Sequence, residues 1–271
     1  FGIEKLTEGI VSTRHIVHDL EGTVLGEWGF RKWQPKEDKL NIKRSNIHIA
    51  RQGLRLALIN QLGAENLINW NHQFIDFKTN DNNKYTLDFL VDGKIKQVKA
   101  DLIVGADGIR SSVRQQLFKN EPNPLRYLGC MVILGICSLD NFKKNSSDLL
   151  DGATVFQTAN GKERIYVMPY SIDKVMWQFS CNVPESEAKE LKNAGTKALK
   201  SKVLNIKWHN PLLQILQETN ENLITGYPVY DRAVLKNELQ NTGASVTLIG
   251  DAAHPMSPFK GQGANQALLD A

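Results

Sequence analysis

Two apolar runs in this chain end the same way, in a small residue followed by an aspartate. The first is DLIVGADGIRSSVR (101–114) and the second is SVTLIGDAAHPMSPFKGQGANQALLDA (245–271). Each reads as a buried strand, then a turn, then a helix. The apolar run DLIVGA is continuous, which predicts a strand covered on both faces of a sheet. In an open α/β sheet, ligands bind beyond the carboxyl ends of the strands. Asp107 and Asp251 therefore stand where a ligand is expected.

The second run carries more chemistry. The Asp251 carboxylate can accept hydrogen bonds from ligand hydroxyls. Pro255 and Pro258 stiffen the loop and remove two N–H donors, and Gly261 and Gly263 let a flat ligand approach the backbone. The amides of Gly263, Ala264 and Asn265 open a helix and favour negative charge. This set suits a ligand with a polyol arm and a ring system that becomes anionic. In the first run, Ser111 and Ser112 can cap a helix continuing through Val113 and Leu117, with Arg110 and Arg114 close by. A third stretch, IARQGLRLAL (49–58), places Arg51 just before a helix with Leu54 and Leu58 on its apolar face. Taken singly, each stretch is equally a capped turn or a surface cation, and GQGANQ alone is a weak match to a dinucleotide loop.

The rest of the chain gives the organisation. Ile47 and Ile49 alternate like a strand, and Leu54, Leu58 and Leu62 then recur every fourth residue up to Gly63. Residues 74–108 read as a three-stranded meander feeding DLIVGA, with turns at NDNN and at Asp92-Gly93. Residues 125–182 read as antiparallel strands broken at ANGK and SIDK, followed by helices near 185–203 and 211–219 and a strand at 223–232. The fold class expected is mixed α/β, with segments 1–122 and 223–271 forming one domain around a β-rich insert at 123–222.

Composition narrows the function classes. With 41% apolar and 23% charged residues and a net charge of +4, the chain is an ordinary globular protein without the basic stripe of a nucleic-acid binder. Its longest apolar run, CMVILGIC (130–137), is too short to cross a bilayer. The three cysteines, Cys130, Cys137 and Cys181, have no metal-ligand spacing and read as buried free thiols of a reducing, cytoplasmic setting.

The three stretches are much more specific in combination. They run Arg51-x-x-Leu54 before a helix, then strand-Ala106-Asp107-Gly108-x-x-Ser111-x-x-Arg114, then strand-Gly250-Asp251-Ala252-Ala253-His254…Pro258-x-x-Gly261-Gln262-Gly263-x-Asn265. In this order they resemble the class A flavin-dependent monooxygenases, the p-hydroxybenzoate hydroxylase-like family, from about residue 45 to the end of the chain. The resemblance implies a Rossmann-like FAD-binding domain with an inserted antiparallel β-sheet substrate domain. It implies that Arg51 lies beside the flavin, Asp107 near the pyrophosphate and Asp251 on the ribityl chain. Pro258 would pack near the reactive edge of the isoalloxazine, and Gly261, Gln262, Gly263, Ala264 and Asn265 would meet its pyrimidine edge. NAD(P)H would reduce FAD, and O2 would then give a flavin C4a-hydroperoxide that hydroxylates an aromatic or polyketide-like small molecule. No side chain is assigned as catalytic, no metal is expected, and His254 is given a structural role.

One departure is sharp. The family begins with a βαβ unit carrying G-x-G-x-x-G, whereas this chain opens on FGIEKL and ends within the last helix, so it reads as a fragment truncated at both ends. On the substrate side, alternation in NGKERIYVMPY places Arg164, Tyr166 and Met168 on one face, with Trp177 of the next strand and Phe259 of the Pro-Phe loop as further candidates. That loop is similar to the Pro-Phe-x-Gly-Gln-Gly run of tetracycline-inactivating monooxygenases, which adds a polycyclic substrate to the possibilities. The competing readings are a halogenase or reductase of the same fold, and a non-enzymatic binding protein on a degenerate flavin fold. Against a halogenase, Trp28 and Trp33 in GEWGFRKWQP have the wrong spacing.

Overall fold

The structure, a computed structural model, describes residues 9–29, 46–63, 67–80, 84–119, 124–143, 146–233 and 245–271. Trp33 and most of the NDNN turn lie outside the described residues. The chain forms two compact units, one of residues 1–64 and 129–228, the other of residues 65–128 and 229–271. Both are built from mixed α and β elements.

The first unit is organised by a seven-stranded sheet in the order β13-β9-β12-β11-β10-β2-β3. These strands are β2 (Arg14–His18), β3 (Val24–Trp28), β9 (Arg126–Ser138), β10 (Thr154–Ala159), β11 (Glu163–Ser171), β12 (Lys174–Asn182) and β13 (Ile224–Asp231). Strands β9, β12, β11 and β10 are antiparallel neighbours, and β2 joins β10 in parallel. The boundaries 1–122 and 123–222 therefore need correction: β2 and β3, near the start of the chain, belong to the large sheet. The free edge of β10 needs partners for its amides and carbonyls. β2 supplies them and sets Ile16, 1% exposed, opposite the buried Phe156. A short pair, β1 (Ile10–Ser12) and β4 (Asn46–His48), also belongs to this unit.

One face of the sheet is dry. Val175, Trp177, Phe179 and Cys181 alternate along β12 as buried residues, beside Ile165 and Val167 of β11. Three helices bring further apolar residues to the core. From α3 (Glu185–Asn193) comes Ala188, from α4 (Thr196–Leu204) come Leu199 and Val203, and from α5 (Leu212–Glu218) come Leu212, Ile215 and Leu216. Trp177 Nε1 donates to Thr219 Oγ1 at 2.9 Å, and Thr219 Oγ1 donates to the Ile215 carbonyl at 2.6 Å. Gly135 lies opposite Trp177, where any Cβ would run into the indole. All three cysteines are free and buried, and burial pushes the Cys181 thiol up to about 11.

In the second unit, β5 (Gln73–Thr79), β6 (Tyr85–Val91) and β7 (Lys94–Ala100) form the expected meander. Its β6–β7 turn is Asp92-Gly93, with φ of 49° and 77°. Two consecutive positive φ values match the twist of a hairpin and favour Asp-Gly. Strands β8 (Ile103–Gly105) and β14 (Val246–Leu248) pair in parallel. Helix α2 (Ser112–Leu117) follows β8, and α6 (Gly263–Asp270) follows the turn after β14. Ile103, Val113, Val246, Leu248, Ala252 and Ala253 share a core with Tyr85 and Leu87 of β6. The expectation that DLIVGA is covered on both faces fails. Val104 is 46% exposed and Thr247 is exposed beside it, because among the described residues the core covers only the other face of this pair.

Three histidines of the first unit have lowered pKa values, the buried His18 and the half-buried His15 and His48. His18 lies 5.0 Å from His209, ring centre to ring centre. Burial above all lowers the pKa of His15, His18 and His48 from the ordinary 6.5, with His209 adding to the effect at His18 and His15 at His48. Below about pH 6.5 the unfolded chain then binds more protons than the folded one, so stability is full above that pH and is lost as pH falls toward the lowered values. The urea midpoint is expected to fall on acidification from about pH 7 to 5, and His18→Leu is expected to flatten that fall. A midpoint that rises over this range would refute the assignment.

Candidate functional site

The site is built around the end of β14. Ile249 N–H still pairs with the Gly105 carbonyl at 3.0 Å, and then the chain turns through Gly250–Ala252. Gly250 takes φ 57°, which favours glycine. Ala252 and Ala253 sink into the core, and Asp251 between Gly250 and Ala252 is left exposed. Among the described residues its carboxylate has no hydrogen-bond partner. Ser257 Oγ accepts from Phe259 N–H at 3.4 Å and caps a short turn, Pro258–Lys260, that ends in left-handed Gly261 at φ 62°. Helix α6 then begins at Gly263 with no side chain capping it. Helical geometry leaves its first amides without intrahelical partners. A Cβ placed on Gly261 would meet nothing within 4 Å, and one on Gly263 would meet only Asp251 Oδ1, at 4.0 Å. An unengaged carboxylate, an uncapped helix start and open space beside glycine backbone thus lie together. Asn265 Nδ2 donates to Gln262 Oε1 at 3.2 Å across the same turn.

The other strand end is tied to this one by a residue that the sequence places only as a neighbour of Asp107. Arg114, 3% exposed on α2, donates through Nη1 to the carbonyls of Ala252 at 2.8 Å and Ala253 at 2.7 Å. The fully buried Ser111 caps the same helix, its Oγ accepting from Arg114 N–H at 2.9 Å. Asp107 Oδ2 accepts from Ser112 N–H at 2.7 Å and Val113 N–H at 3.2 Å, so one of its oxygens already holds the start of α2. Asp270, also absent from the sequence-based set, accepts from Gly250 and lies beside His254. Its pairing partners are 20 and 16 residues away, beyond any local pattern.

The structure places Arg51 in the first unit, while Asp107, Asp251, Pro258 and Gly261–Asn265 share the second. Arg51 is exposed at the start of α1 (Arg51–Gln61), where no side chain caps the helix. Leu58 and Leu62 are exposed and only Ala57 is buried, so the apolar stripe read from the sequence is not a core face among the described residues.

The substrate candidates also divide. Arg164, Tyr166 and Met168 do share a face of β11, alternating with buried Ile165, Val167 and Pro169. Arg164 Nε donates to Gln157 Oε1 at 2.8 Å, and its guanidinium carbon sits 5.7 Å from the Tyr166 ring centre. Burial pushes the Tyr166 hydroxyl pKa up, against the opposing pull of Arg164. Met168 faces Met176 across the strands. Trp177 is a correction: it lies opposite Val167, on the dry face, with no exposed surface. Register, which is invisible in a single strand, decides this. Phe259 belongs to the second unit and is 41% exposed. A cleft of about 940 Å³ in the first unit is lined by Leu139, Phe142, Asp148 and Asp173 among others, and by none of the nominated residues. Among the described residues there is no cluster of side chains that could hold a metal ion, and no helix is long and apolar enough to cross a membrane.

Comparison with known proteins adds to this geometry. Residues 60–271 match a protein family described as FAD binding domain. The chain is 35% identical over 185 residues to the aurachin C monooxygenase/isomerase of Stigmatella aurantiaca, an alignment covering 67% of this chain and 43% of that protein. It superposes on Klebsiella pneumoniae HpxO complexed with FAD and uric acid with a TM-score of 0.76 and 17% identity, covering 99% of this chain and 64% of that one. The tetracycline destructase Tet(51) superposes with a TM-score of 0.62 and 21% identity, covering 98% and 62%. These two structures are similar in fold. The chain spans less than half the length of the aurachin C relative.

The two carbonyls held by Arg114 are buried and outside any strand pair, so removing the guanidinium leaves them desolvated. Arg114→Leu is expected to destabilise the protein by roughly 3 kcal/mol, read as a lowered urea midpoint at unchanged slope. Arg114→Lys, which keeps a donor, is expected to recover part of the loss. A midpoint within error of the parent for Arg114→Leu would refute the stabilising role of this tie.

Proposed function

Because the chain belongs to the FAD-binding domain family of the class A flavin-dependent monooxygenases, we propose that it serves an FAD-dependent monooxygenation of a small ring-containing molecule. The observation that carries the reading is the Asp251 carboxylate, without a hydrogen-bond partner among the described residues, beside the uncapped start of α6, with open space over Gly261 and Gly263.

These residues fit FAD by their chemistry. Asp251 would accept hydrogen bonds from the ribityl hydroxyls. The amides of Gly263, Ala264 and Asn265 would face the pyrimidine edge, where fixed N–H dipoles favour the negative charge of the reduced ring. Pro258 and Gln262 would shape the loop against the ring, and Asp107, with one oxygen on α2, would stand toward the pyrophosphate. When bound, the flavin supplies the redox chemistry, using NAD(P)H as reductant and O2 as oxidant. The overall balance is substrate-H, NAD(P)H, a proton and O2 giving substrate-OH, NAD(P)+ and water, with no nucleophile or metal required from the chain.

For the substrate, Arg164, held by Gln157 and lying over Tyr166, would anchor a polar oxygen, and Met168 would cover an apolar part. The uric acid held by the HpxO structure supports a small ring system, and the tetracycline destructase keeps a larger polycyclic compound within the class tested.

The test is flavin binding by the purified chain, followed by NAD(P)H consumption under air with a panel of phenols, heterocycles and polyketides. Isotopically labelled O2 should place one oxygen atom in the product. Asp251→Ala is expected to weaken FAD binding about tenfold or more, with the urea midpoint of the flavin-free protein unchanged. Equal affinity in parent and variant would overturn the assignment of Asp251, and NAD(P)H oxidation without oxygenated product would overturn the monooxygenase reading.

A further inference from the structure

Asp270 lies on α6, and its carboxyl is held below the usual carboxylate range first by the Gly250 amide and, against the opposing effect of burial, also by His254. The geometry accounts for this. Gly250 follows the end of β14, so its amide has no ladder partner, and it donates to Asp270 Oδ2 at 2.7 Å. His254 Nε2 lies 2.7 Å from the same oxygen, and His254 N–H donates to the Gly250 carbonyl at 2.9 Å. The approach is close, since a Cβ on Gly250 would stand 3.1 Å from Ala267 Cβ. The part of α6 that carries Ala267 and Asp270 is therefore fastened to Gly250, while a Cβ on its first residue, Gly263, would stand 4.0 Å from Asp251 Oδ1.

We infer that Asp270 is a positioning residue. Through Gly250 and His254 it holds α6 along the turn after β14, and so fixes the Asp251 carboxylate relative to the amides of the helix start. The role toward flavin rests on the reading given under Proposed function. The fastening itself does not. His254 acts here as the second anchor of the turn, with its Nε2 committed to Asp270.

The experiment compares Asp270→Ala, Asp270→Asn and the parent in the full chain, by amide hydrogen exchange without flavin and by FAD titration. Asp270→Asn keeps an acceptor oxygen for both donors, whereas Asp270→Ala removes it. The expected result for Asp270→Ala is exchange at Gly250 and the following turn faster by about tenfold or more, with FAD affinity lower by about tenfold. Asp270→Asn is expected to stay within about threefold of the parent in both. That rescue separates the missing acceptor from a general loss of packing. Unchanged exchange in Asp270→Ala would overturn the fastening. Faster exchange with unchanged FAD affinity would overturn the positioning role. If the parent itself does not bind FAD, the flavin reading and the positioning role toward it both fail, and the exchange data still decide the fastening.

Discussion

The second unit depends on a guanidinium under a turn. Strands β8 and β14 have three residues each, too few for their pairing alone to define the turns at their carboxyl ends. Arg114, carried by the helix after β8, reaches the carbonyls of Ala252 and Ala253 in the turn after β14. Those carbonyls are buried where no strand or helix completes them, and a desolvated acceptor without a donor costs more than the bond returns in water. One side chain thus fixes the turn and, through it, the place where Asp251 leaves the core.

The same unit separates groups that hold it together from groups that it leaves available. Ser111, one oxygen of Asp107, Arg114 and Asp270 are committed to backbone partners. Among the described residues the Asp251 carboxylate has no hydrogen-bond partner and no side chain caps the start of α6, and the backbone beside them is glycine. The first unit makes a comparable division across one sheet. Trp177, Phe179 and Val167 fill a dry face, while Arg164, Gln157 and Tyr166 meet on the other through a hydrogen bond and a cation–ring contact.

Much of this was legible in the residues. The Asp92-Gly93 hairpin, the alternation in β11, the helix after Ser111 and the Pro–Gly loop before α6 each rest on contacts within a few positions, where local stereochemistry leaves its mark. The resemblance built on Asp107, Asp251 and the Gly261–Asn265 segment led to the family that residues 60–271 match. Two of the failures share one cause. Trp177 looked like a companion of Tyr166 until the register paired it with Val167, with an irregularity between Pro169 and Ser171 in the same ladder. β2 and β3 read as part of the first segment because nothing near Arg14 announces a strand partner at Thr154.

By itself the sequence determined the meander, the two strand–aspartate–helix units and the class of ligand they suit, because period, turn chemistry and backbone freedom are local properties. The tertiary structure alone decided which aspartate is spent and which is spare. Asp107 caps a helix with one oxygen, Asp270 fastens a turn, and Asp251 is left exposed beside the uncapped start of α6. All three are the same residue type beside glycine, alanine or leucine, and only the donors folded against them distinguish their roles. Those donors come from up to 20 residues away, as with Gly250 and Asp270, so only the folded chain brings them within hydrogen-bonding reach.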